Sequence, residues 1–138
     1  MTSPAPDVLA ACIDTIEASY EFMLAYAAQG RDSESVGGAG PSIRQVLTDL
    51  RGALQGLPGA ITQSIGQTAA QKATQLADFT AVITDDARRA SVAIAAVLTV
   101  PSISSQLIDN LNASVHVRKL LTDVFLVDEI LKSFRRQA

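Results

Sequence analysis

Residues 114–136, SVHVRKLLTDVFLVDEILKSFRR, decide the fold class. Val117, Val124 and Leu131 lie seven apart, and Leu120, Leu121, Val127 and Phe134 fill the same side. This is the three-four rhythm of a helix rather than the alternation of a strand. Phe125, Leu126 and Ile130 widen the apolar face beyond the seam of a two-stranded coiled coil. The segment is therefore expected to be central to a core or packed on two sides. Arg135 and Arg136 suit the negative end of such a helix.

The same rhythm extends towards the N-terminus. Pro101 closes the preceding segment, and Ser102 is expected to cap a short helix carrying Ile103, Leu107, Ile108 and Leu111. From Gly59 to Val100, Ile61, Ile65, Ala69, Ala73, Leu76, Phe79, Ile83 and their successors recur in steps of three or four. Unbroken, this would be a rod of about 60 Å at 1.5 Å per residue. A break is expected at Gly66 or at Thr84-Asp85-Asp86. A further helix begins after Ser42, carries Ile43, Val46, Leu47, Leu50 and Leu54, and is expected to stop before Pro58, because a residue preceding proline resists helical geometry.

The first helix reads from an Asp7 cap to about Gln29, with Leu9, Cys12, Ile13, Ile16, Tyr20, Met23, Leu24 and Ala27 on one stripe. Gly30 is placed to supply a left-handed C-cap. Residues 31–41, with Gly37-Gly38-Ala39-Gly40, read as a flexible Gly-rich loop, and residues 1–6 as a flexible lead-in. No strand alternation and no internal repeat emerges. The expectation is an all-α, single-domain bundle of four to five helices spanning residues 7–138.

Composition narrows the function more by exclusion than by sign. The chain has 138 residues, 48% of them hydrophobic, and a net charge of −3. That balance argues against nucleic acid, which calls for clustered Lys and Arg. The longest apolar run, Ala90 to Val100, is 11 residues, where a membrane-spanning helix needs about 20. A lone Cys12 and the lack of a signal-peptide pattern at the start point to a cytoplasmic protein.

The groups that carry chemistry are few. Asp14, Glu17 and Glu21 share one side of the first helix and form a candidate hard-metal site, with Asp85 and Asp86 as further oxygen donors. The plainer reading is a solvated acidic stripe. A carboxylate-bridged di-metal centre needs Glu-x-x-His pairs, and the residue three before the single histidine, His116, is Ala113. Cys12 beside Ile13 and Ile16 reads as a small hydrophobe rather than the partner of His116. Gly38, Gly40, Ser42 and Arg44 form a candidate anion loop at a helix N-terminus, although the Gly-Lys-Ser/Thr of a phosphate-binding loop is missing. The plainer reading there is a linker. Asp85-Asp86-Ala87-Arg88-Arg89, with Asp85 placed to pair with Arg88 or Arg89, reads as a solvent-facing turn.

What remains favours contact with protein. Phe22, Tyr26, Phe125, Leu126, Ile130 and Phe134 form a candidate interaction surface, with Tyr26 lying away from the first helix's apolar stripe as an exposed anchor. The expectation is a non-catalytic scaffold or adaptor without cofactor, acting as a homo-oligomer or on a protein partner. A small metal- or phosphate-binding enzyme using Glu17 and Glu21 is the alternative, and a coat on a hydrophobic granule a weaker one.

Overall fold

The structure, a computed structural model, describes residues 7–34 and 40–137. The proposed lead-in at 1–6 and the glycines Gly37 and Gly38 lie outside the described residues. Five helices follow one another: α1 (Val8–Ala28), α2 (Ile43–Thr68), α3 (Ala73–Leu98), α4 (Ser105–Ala113) and α5 (Val115–Arg136). A 3-10 turn, Ala70–Lys72, joins α2 to α3. No strand occurs among the described residues, and the fold is the expected all-α bundle.

Side-chain caps open four of the helices. Asp7 accepts from the Ala10 N–H, Ser42 from Gln45, Ser104 from Leu107 and Ser114 from Val117. Each satisfies an amide that the helix leaves without a partner. Ser104, not Ser102, caps α4. Ser102 instead accepts from the Glu34 N–H, because the chain after Pro101 is laid against the α1–α2 connection. Gly30 sits at φ +66°, the left-handed turn expected after α1.

Helix α2 continues through Pro58 to Thr68, where a stop before the proline was expected. Pro58 lacks the N–H that would bond the Leu54 carbonyl, a defect of about 3 kcal/mol in a helix interior. Leu54, Leu57, Ala60, Ile61 and Ile65 are all buried on one stripe that crosses the proline. Each such aliphatic side chain contributes about 1.5–3 kcal/mol when buried, so packing outweighs the break.

The expected interruption at Gly66 or Thr84–Asp86 is absent. Both lie inside helices, and the chain turns instead at Ala69, with φ −142° and ψ 40°. There α2 folds back on α3 as an antiparallel pair, with Arg51 Nε 3.4 Å from Ser91 Oγ.

α1 packs on both α2 and α4, and α3 on both α2 and α5. Being covered on two sides reverses the expectation for Tyr26. Rather than an exposed anchor it is 3% exposed. Its hydroxyl donates to the Ile103 carbonyl, Phe22 stacks against its ring and the Arg31 guanidinium lies 5.4 Å from its centroid. Burial holds the phenol above its ordinary range, so it stays a donor.

Around Tyr26 the two long connections are tied together. Ser105 Oγ donates to the Tyr26 carbonyl and accepts from the Arg31 N–H. Arg44 Nε lies 3.0 and 3.1 Å from the two carboxylate oxygens of Glu34. Its other nitrogens donate to the carbonyls of Leu98, Val100 and Pro101 at the end of α3. Glu34 in turn accepts from the Ile103 N–H at 2.9 Å. Hydrogen bonds to charged groups contribute about 1.5–3 kcal/mol each, net of the bonds to water that they replace. Arg44→Ala is expected to lower the unfolding free energy by about 2 kcal/mol, and Tyr26→Phe by about 1 kcal/mol, both read by urea denaturation with an unchanged helical signal.

Candidate functional site

A long surface groove lies between α2 and α3. The second half of α2 and the first half of α3 present mostly glycine, alanine and threonine outward. Gly59, Thr62, Gly66, Ala73, Ala77 and Ala81 line a groove of about 720 Å³ that has no charged residue in its wall. A second hollow of about 450 Å³ continues it towards the other end of the pair, sharing Pro58 and Thr84. The buried Leu54 and Ala87 lie beneath it, and Val92, Arg51 and Arg88 line it nearer solvent. The groove follows from the sequence directly. Ala73, Ala77, Thr80 and Thr84 recur at three-four spacing on α3, so a whole helical face carries nothing longer than a threonine. Leu76 and Phe79, on the adjoining face, are half-buried against the core.

The other apolar surface is on α5. Phe125 and Leu126 are 51% and 50% exposed, side by side on the outer face. Ile130 and Phe134 are half-buried, Phe134 packing on the core, and Phe22 does likewise on α1. Of the six residues expected to make an interaction surface, the structure therefore leaves Phe125 and Leu126 freely presented. Tyr26 belongs to the interior.

The remaining site residues do not converge. Asp14 and Glu21 are exposed and Glu17 half-buried. No group of three or more His, Cys, Asp or Glu side chains among the described residues is arranged to hold a metal ion. Gly40 is exposed with φ +90°, Ser42 is committed to its cap and Arg44 to Glu34 and the α3 carbonyls. The arginine expected to meet an anion is thus an internal tie. Cys12 donates its Sγ–H to the Ala53 carbonyl of α2 at 3.0 Å. Near it, Asp7 at the start of α1 pairs with Arg135 at the end of α5. His116 is exposed at the opposite end of α5, about 28 Å along the helix from Arg135 at 1.5 Å per residue. The fold therefore gives His116 and Cys12 no shared site.

One cluster escaped the sequence reading. Asp86 was expected on a solvent-facing turn with Asp85. Asp85 is indeed exposed and bonds Arg88 and Arg89. Asp86 is only 4% exposed, because α5 covers that side of α3, where it meets Asp123, 8% exposed. Lys119 Nζ lies 3.6 Å from Asp86 Oδ1. A hint was present: Asp123 falls between Leu120 and Val124, inside the apolar rhythm of α5.

No known protein family, no characterised protein and no solved structure matches this chain. No described helix is long and apolar enough to cross a membrane.

The thiol of Cys12 is raised by burial, which leaves little thiolate at neutral pH. Alkylation of the folded protein by iodoacetamide at pH 8 is expected to run at least tenfold slower than in the urea-unfolded chain. Equal rates would show an open, activated thiol.

Proposed function

We propose that the protein is a non-catalytic helical interaction module that self-associates, the α2–α3 groove of one copy receiving the outer face of α5 from a second. One observation carries this reading. The same chain holds a groove walled by small side chains and, elsewhere, two adjacent large apolar residues that are half-exposed.

A helix lies in such a groove by setting large anchors into the spaces that glycine and alanine leave. Phe125 and Leu126 are anchors of the right kind, and they stand on a helix already fixed by its inner face. A two-fold arrangement in which each copy gives α5 and receives α5 closes on itself, as isologous dimers do.

The reading is tested by sedimentation equilibrium. The natural chain is expected to be a dimer at micromolar concentration. Ala77→Glu, which places a charge in the groove, and Phe125→Ser, which removes an anchor, are each expected to give folded monomers. Mixed together they retain one intact groove and one intact α5 face, and are expected to pair with each other. A natural chain that stays monomeric at every concentration overturns the proposal, as does a dimer indifferent to both changes.

A further inference from the structure

We infer that Asp86 and Asp123 share one proton across the α3–α5 contact, and that losing this proton loosens α3 from α5: a pH-sensitive latch built into the bundle.

Burial calls for the proton. Asp86 Oδ2 and Asp123 Oδ2 are both fully buried, and neither has a hydrogen-bond donor among the described residues. Lys119, one turn before Asp123 on α5, reaches Asp86 Oδ1 at 3.6 Å, so the two buried carboxyls face one another across the same α3–α5 seam. Two carboxylates offer acceptors only, so a bond between them exists when one is a carboxylic acid. With one proton between them and the Lys119 ammonium beside Asp86 Oδ1, the cluster is neutral. With none it carries one uncompensated negative charge in the interior, a costly state.

The surrounding charges support this count. Those acting on Asp123 are Asp86 from α3 and Lys119 from its own helix. Elsewhere on α3, Asp85 is paired with Arg88 and Arg89, and Asp78 is exposed. On α2, Arg44, Asp49 and Arg51 bond Glu34, Gln45 and Ser91. On α4, Asp109 is exposed. On α5, His116 and Arg118 are exposed, and Asp128 pairs with Lys132. A metal ion is a poorer occupant than a proton. Hard cations take six or more oxygens, and here two carboxylates stand beside an ammonium.

Burial, the bond to Asp86 and the charge of Asp86, in that order, push Asp123 up to about 7 against an ordinary value of 3.8, with Lys119 opposing. A raised carboxyl stabilises the fold fully below its unfolded value, and the benefit is lost as pH rises through the folded value. The folded protein therefore holds the proton until pH nears about 7, while the stability it contributes is full below about pH 4, falls progressively above it and is gone once pH passes about 7. Asp85 and Glu129, held low by their arginines, have the opposite sign and act at more acid pH.

The experiment compares melting temperatures from pH 5 to 8.5 for the natural chain and Asp123→Asn, which retains a donor to Asp86 but cannot ionise. The natural chain is expected to melt several degrees lower at pH 8.5 than at pH 5. The variant is expected to lose that dependence and to melt above the natural chain at pH 8.5. In parallel, the infrared band of a protonated carboxyl in the folded natural chain is expected at pH 5.5 and absent at pH 8.5. This second measurement decides the matter even if the variant does not fold. Parallel melting profiles for the two proteins, or no carboxyl band at pH 5.5, overturn the inference. So does a rise in melting temperature on adding magnesium or calcium at pH 8 to the natural chain alone, because the pair would then hold a cation.

Discussion

One guanidinium holds the architecture at its most demanding point. At that end of the bundle α1 finishes, α2 starts, α3 finishes and α4 starts, so many backbone groups fall outside regular helical bonding. Arg44 takes the carbonyls of Leu98, Val100 and Pro101, and Glu34, held by the same arginine, takes the Ile103 amide. Only a planar, multi-donor side chain serves so many acceptors together. Tyr26 and Ser105 complete the junction from the α1 side. Both interhelical connections are consequently fixed to one another, and the α2–α3 pair is anchored at its base.

The far end of that pair is organised differently. No residue from Ala70 to Val82 is fully buried, and the apolar contribution of α3 to the core begins in earnest at Ile83. Small side chains allow α2 and α3 to run beside each other without filling the space along their outer faces. A bundle with one end cross-linked by polar bonds and the other open and smooth has a natural division between a fixed base and a grooved far end. The carboxylate pair lies between these regions, at the seam where α5 supports α3.

The fold was largely legible because periodicity and capping are local. The rhythm of α5, the Asp7 cap and the Gly30 turn all depend on residues within a turn or two of each other. What escaped the sequence depended on distant partners. Pro58 is tolerated because a buried stripe on both sides of it outweighs a local defect. The turn at Ala69 has no glycine or proline to announce it and is set by α2 and α3 packing together. Tyr26 looked exposed because α1 was read with one apolar face, whereas α4 covers a second. Asp86 was read with its neighbour Asp85 on solvent, although α5, more than thirty positions further on, covers it. Phe125 and Leu126 carry two expectations in the sequence, a widened buried face and a contact surface, and the structure leaves them half-exposed beside the buried Val117, Leu120, Val124, Val127 and Leu131 stripe. The groove was present in the sequence only as alanine, glycine and threonine spacing, which becomes a groove once two helices align it.

The junction around Tyr26 also bears on how the chain acquires its structure. Tyr26 meets Ile103 across 77 positions, Ser105 meets the Tyr26 carbonyl across 79, and Asn112 donates to the Met23 carbonyl across 89. Contacts of such separation close late, after local helices exist. During synthesis, α1 leaves the ribosome with one of its two burial partners still unmade. It can lean on α2 early, but the Tyr26 hydroxyl has no acceptor until residue 103 has emerged. The first helix thus waits for most of the chain, and for that interval its second apolar face is open to whatever protects nascent proteins in the cell.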